Sequence, residues 1–162
     1  MAHSRILRRL REEKTNYRRR ATMLIGRRDF VTVNITNENA QVQVLKPDMT
    51  GDKVIASAHS RYLLKQGWKG SRKNLPAAYL TGYVAGKRAI KSGVTDAILY
   101  TGTRRYTQRV AAALKGVIDA GVNIPADEET FPSEERISGE HLTVKNEVEK
   151  IRSAIDSREA VE

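Results

Sequence analysis

The change of hydrophobic period near residue 74 constrains this chain most. Residues 30–58 set apolar against polar side chains at alternate positions, whereas residues 75–118 repeat apolar side chains at spacings of three and four. Neither an all-helical nor an all-strand fold accommodates both. Phe30, Val31, Val33 and Ile35 are interleaved with Thr32, Asn34 and Thr36, and Val42, Val44 and Leu45 follow Asn37-Glu38-Asn39, a pattern that predicts a hairpin. Pro47, Asp48, Gly51 and Asp52 mark a turn cluster, and Lys53 to Ala58 form a third short strand, completing a meander. A helix then opens with Asn74 as cap and Pro76 in its first turn, and stops at Gly93. Its small face, Ala78, Gly82, Ala85, Gly86 and Ala89, suits close approach to a sheet. Ala97-Ile98-Leu99-Tyr100 reads as a strand buried on both faces. Tyr106, Val110, Ala113, Leu114, Val117 and Ile118 stripe a second helix, closed by Gly121. The order β-β-β-α-β-α predicts an α/β fold, a mixed four-stranded sheet with helices packed on it, compatible with a ribonuclease-H-like architecture.

Charge divides the chain into three parts. The 162 residues carry a net charge of +10, distributed as +7 over residues 1–30, +9 over 31–120 and −6 over 121–162. Residues 1–28 form a basic arm whose thin apolar stripe (Ile6, Leu7, Leu10, Tyr17, Ala21, Leu24) buries little, so ordering on a partner is expected. Residues 29–125 hold the core. Residues 126–162 begin as a polar, acidic linker, and Val144, Val148, Ile151 and Ile155 then mark a helical appendage, which either docks back on the body or packs on a neighbouring protein.

Much chemistry is excluded at this level. Without cysteine there is no thiol nucleophile, disulfide or thiolate metal site, and His3, His59 and His141 form no ligand pattern. Two-metal nucleases need converging carboxylates, yet residues 31–120 offer only Glu38, Asp48, Asp52, Asp96 and Asp119, all at turns or element ends. No nucleophile elbow or Walker-type phosphate loop is present. No cofactor is expected. The apolar Gly82-xxx-Gly86 segment is interrupted by Lys87, Arg88 and Lys91, and no signal core is apparent, so a cytoplasmic protein without membrane association is expected.

The remaining chemistry is phosphate binding. Arg5, Arg8, Arg9, Arg11, Lys14, Arg18, Arg19, Arg20, Arg27 and Arg28 offer cations from the arm, and Tyr17 offers a ring for stacking. The glycine-spaced connector adds Lys65, Trp68, Lys69, Arg72 and Lys73. Trp68 there either closes on nucleic acid or plugs an edge of the core. Arg104, Arg105 and Arg109 surround the positive end of the second helix, where a bound phosphate would offset the unfavourable placement of cations or where they simply face solvent. On these grounds the candidates are a structural RNA-binding protein, a nucleic-acid-processing enzyme on a ribonuclease-H-like fold, and a free RNA chaperone.

Four segments resemble a known family. The run Arg9-Leu10-Arg11-Glu12-Glu13-Lys14-Thr15-Asn16-Tyr17-Arg18-Arg19-Arg20, the triplet Gly67-Trp68-Lys69, the stretch Asn74-Leu75-Pro76-Ala77-Ala78-Tyr79-Leu80-Thr81-Gly82, and Ala97-Ile98-Leu99-Tyr100-Thr101-Gly102 ahead of Arg109-Val110 are similar to the eighteenth protein family of the large ribosomal subunit in its archaeal and eukaryotic form. The resemblance implies a non-enzymatic constituent of the large subunit that binds 5S rRNA in the central protuberance. It further implies contact with large-subunit rRNA and a place beside the fifth large-subunit protein and other central-protuberance proteins. The acidic appendage fits the archaeal branch better than the shorter bacterial one.

Overall fold

The computed structural model describes residues 7–48, 51–140, 142 and 147–159. Strands β1 (Asp29–Ile35), β2 (Ala40–Lys46) and β3 (Lys53–His59) form the antiparallel meander, and β4 (Ala97–Leu99) joins β1 in parallel, giving the order β3-β2-β1-β4. This is the mixed sheet the element order predicts. One face carries Val31, Val33, Val42, Val44, Ala56 and Ala58, all buried in the main core. The other carries Thr32, Asn34, Gln41 and Gln43, which are half-buried and polar. That polarity is why the long helix after β3 and the helix that follows β4 pack on the apolar face. β4 is a sheet edge with two of its three residues half-buried, which corrects the expectation of a strand covered on both faces.

Helix α4 (Leu75–Lys91) is the central element: thirteen of its seventeen residues are buried, so it has neighbours on nearly every side. It begins as the sequence predicts, with Asn74 Oδ1 accepting the Ala77 N–H at 3.0 Å. It packs on β2 and β3, on helix α5 (Gln108–Asp119) and on the C-terminal helix α7 (Glu147–Glu159). Its small-residue face lies against α5 rather than against the sheet. A Cβ on Gly82 would fall 2.0 Å from the Ala113 carbonyl oxygen, and one on Gly116 of α5 would fall 2.1 Å from that of Tyr79. The two backbones therefore touch, and glycine is required on both helices.

The C-terminal segment docks back on the body. The short helix α6 (Glu134–Ser138) buries Ile137, and α7 buries Val148, Ile151 and Ile155; Val144 lies outside the described residues. Tyr83 of α4 donates a 2.7 Å hydrogen bond to Asp156 Oδ1, and Lys87 and Arg152 lie 5.2 and 4.8 Å from the Tyr83 ring centre.

The arm is also tied to the body. It forms two helices, α1 (Arg8–Arg11) and α2 (Tyr17–Ile25), separated at Glu12–Asn16, where Glu13 adopts a φ of 52°. Asn16 caps α2 by accepting the Arg19 N–H at 3.0 Å. Arg20 reaches Asp52 with both terminal nitrogens, Nη1 at 2.8 Å from Oδ2 and Nη2 on Oδ1. Its guanidinium also covers the Phe30 and Tyr100 rings at 5.5 and 5.8 Å. Phe30 is fully buried outside the main core, stacked on Tyr100. One ion pair and two ring contacts hold α2 against the polar face of the sheet, so the arm has contacts with the body besides any it makes with a partner.

Candidate nucleic-acid interface

The fold brings three separated cationic groups onto one flank. A cleft of about 470 Å³ between arm and body is lined by Arg9, Lys14, Tyr17 and Arg20 from the arm and by Thr32, Asp52, Tyr100, Thr101 and Arg104 from the body. Thr101 and Arg104 also line a second cleft, of about 330 Å³, together with Arg105 and Arg109. The second cleft shares Asn37 with a third, which holds Arg72 and Lys73, and shares Thr107 and Arg109 with a fourth, which holds Lys73 and Arg136. A basic tract therefore runs from the arm past the start of α5 to the connector ahead of α4.

Individual side chains take different parts in it. Arg9 Nε donates to Thr15 Oγ1 at 2.9 Å, fixing the bend between α1 and α2. Arg8 and Lys14 each lie 2.8 Å from Glu12, and these two partners, Lys14 foremost, hold its carboxyl below the usual range. Asp52 raises the affinity of the Arg20 guanidinium for its proton, so Arg20 stays charged while it anchors the arm. Arg11, Arg18, Arg19, Arg27 and Arg28 are exposed around the arm, and Arg5 lies outside the described residues. At the entrance to α5 the first turn holds no acid and Thr107 makes no side-chain cap, so Arg104, Arg105 and Arg109 stand exposed beside uncompensated N–H groups. That is an arrangement an anion would stabilise.

The connector divides in two. Arg72 and Lys73 belong to the tract, with Arg72 lying 3.6 Å from Glu38. Lys65 and Lys69 are exposed but line none of these clefts. Of the two uses left open for Trp68, the structure shows the core plug. Trp68 as a residue is 2% exposed and its Nε1–H donates to the Ser71 carbonyl at 3.2 Å, so no face is offered to a base. Gly67 makes this possible with a φ of 89°, turning the chain after α3 (Tyr62–Lys65). Burial, with Arg61 and Arg72 nearby, lowers the His59 pKa; its Nδ1 accepts the Arg61 N–H at 3.1 Å.

Sequence reasoning missed Asp52, Tyr100 and the threonines of the first cleft. Thirty-two positions separate Asp52 from Arg20, and no periodicity links them. Among the described residues no three histidine or acidic side chains cluster closely enough to hold a metal ion, and no helix is long and apolar enough to cross a membrane.

A basic tract along one flank of a braced α/β body is a surface whose chemistry suits a polyanion. Residues 3–107 match the family described as ribosomal large subunit proteins 60S L5 and 50S L18. The chain is 46% identical over 138 residues to the large ribosomal subunit protein uL18 of Thermofilum pendens, covering 84% of this chain and 70% of that protein. It is 50% identical to that of Aeropyrum pernix (84% and 65%) and 46% identical to that of Methanothermobacter thermautotrophicus (83% and 71%). The chain belongs to this family, in its archaeal type, and is accordingly a structural constituent of the large ribosomal subunit and not an enzyme. As a ribosomal protein it serves translation in the cytoplasm.

Proposed function

We propose that this protein binds 5S rRNA in the central protuberance of an archaeal-type large subunit, touches large-subunit rRNA, and stands beside the fifth large-subunit protein. The convergence of arm, α5 entrance and connector into one basic tract is the observation that carries this reading. In it, residues 1–28 are the rRNA-binding arm, 29–125 the core domain that positions the tract, and 126–162 an acidic appendage turned to protein rather than RNA. The RNA contacts fall to the arm cations with Tyr17, to Lys65, Lys69, Arg72 and Lys73, and to Arg104, Arg105 and Arg109. Trp68 and Arg20 support them from within.

Filter binding with a 5S rRNA transcript and a 16S rRNA fragment of equal length tests the assignment. A preference of more than about tenfold for 5S rRNA is expected. If about eight phosphates are neutralised, log affinity falls against log salt with a slope of roughly −6 to −7. Equal affinity for both RNAs, or a slope near −2, overturns the reading.

A further inference from the structure

We propose that the cleft between arm and body holds a single unstacked nucleotide of the bound RNA, displayed by a bulge or loop. The inference rests on the RNA-binding reading and names the ligand of one part of that surface.

Size and shape come first. At about 470 Å³ the cleft lies within the range of roughly 300–1,000 Å³ typical of small-ligand sites, room for a nucleotide and too little for a duplex. Duplex backbone can be met by exposed arginines that do not line the cleft, such as Arg11, Arg18 and Arg19 of the arm. A concave wall serves a group that enters it.

The chemistry of the wall suits a nucleotide. Arg9, Lys14 and Arg104 set cations around the cleft for flanking phosphates. Tyr17, 38% exposed, supplies an aromatic face of the kind on which extruded RNA bases stack. The hydroxyls of Thr101 and Thr103 can donate and accept, matching a base edge or the ribose 2′-OH. A purely electrostatic contact has no use for a tyrosine and two hydroxyls in a pocket.

The cleft is also built in advance. Arg20 bound to Asp52 and covering the stacked Phe30–Tyr100 pair braces arm against body, so the space does not depend on the RNA for its shape. A preformed pocket avoids the ordering cost that a mobile arm would bring to binding.

Two RNA hairpins identical except for one bulged 2-aminopurine test this with the full chain. The bulged hairpin should bind at least about tenfold tighter than the fully paired one, the scale of one base–aromatic stack, and its fluorescence should change severalfold at saturation. Tyr17→Ala should bring the bulged hairpin down to the affinity of the paired one, and Tyr17→Phe should retain the difference, with circular dichroism verifying that both fold. Equal affinities in the wild type, unchanged fluorescence at saturation, or an undiminished preference in Tyr17→Ala overturns the proposal. The 5S rRNA comparison runs in parallel. Preference for 5S rRNA without preference for the bulge sinks this inference alone, whereas the reverse sinks the 5S assignment and leaves the cleft standing.

Discussion

Asp52 is a single carboxylate with two consequences, because it receives both ends of the Arg20 guanidinium while that guanidinium covers Phe30 and Tyr100. Replacing it by asparagine leaves a partly buried cation against two rings. Asp52→Asn should cost about 2 kcal/mol in urea unfolding, the scale of a charge-assisted hydrogen-bond pair, and should also weaken rRNA binding in the filter assay although Asp52 itself would repel phosphate. Unchanged unfolding would mean that the arm is not held there. Asp156 gives a pH signature. Burial opposes its ionisation, but the Tyr83 hydroxyl and Lys87 outweigh this and hold its pKa below the ordinary carboxylate value. A depressed folded-state pKa adds stability above the unfolded value and loses it as pH falls through that value towards the folded one. Asp156→Asn should therefore lower stability by about 0.5–1 kcal/mol at pH 7, allowing for its exposure, and the gap from wild type should close as pH drops below about 4. A gap that persists in acid would assign the effect to packing.

Contact between helices is governed by what the side chains leave out. With Gly116 against the Tyr79 carbonyl, a methyl group there must push α5 away from α4, so Gly116→Ala should cost about 3 kcal/mol and lower Tm by roughly 6–12 °C in calorimetry. A loss below about 0.5 kcal/mol would mean that the helices slide apart freely. At this scale the sequence is uneven in what it discloses. Alternation at Val31, Val33, Val42 and Val44 marks β1 and β2, and Asn74 with Pro76 fixes the start of α4, because these signals lie within one element. The small-residue stripe shows that something approaches closely but not what, so the helix partner had to be seen. The apolar run at Ala97–Tyr100 suggested full burial, whereas β4 is an edge and Tyr100 turns outward to Phe30. The basic tract is legible as three charge clusters; their convergence is not, since it depends on how the connector and the turn ahead of α5 leave the sheet.

For the molecule as a whole, the acidic C-terminal segment is part of the body's cover. Val148, Ile151 and Ile155 contribute up to about 2 kcal/mol each by burial, so a chain ending after Pro125 should unfold at clearly lower temperature in calorimetry. Below that transition its affinity for a 5S rRNA transcript should stay within about threefold of the full chain, because charges beyond a Debye length are screened and the basic tract is retained apart from Arg136. A much larger loss would show that the appendage reads RNA. The sequence left both fates of this segment open, since a hydrophobic stripe states that it will be covered and not by whom. The brace between Arg20 and Asp52 bears on the kinetics of assembly. A chain whose arm already has its place meets RNA as a nearly rigid body, so the heat capacity of association should reflect surface buried between the two molecules with little coupled folding. Its encounter rate should then be set by diffusion and charge steering rather than by the time an arm needs to find its shape.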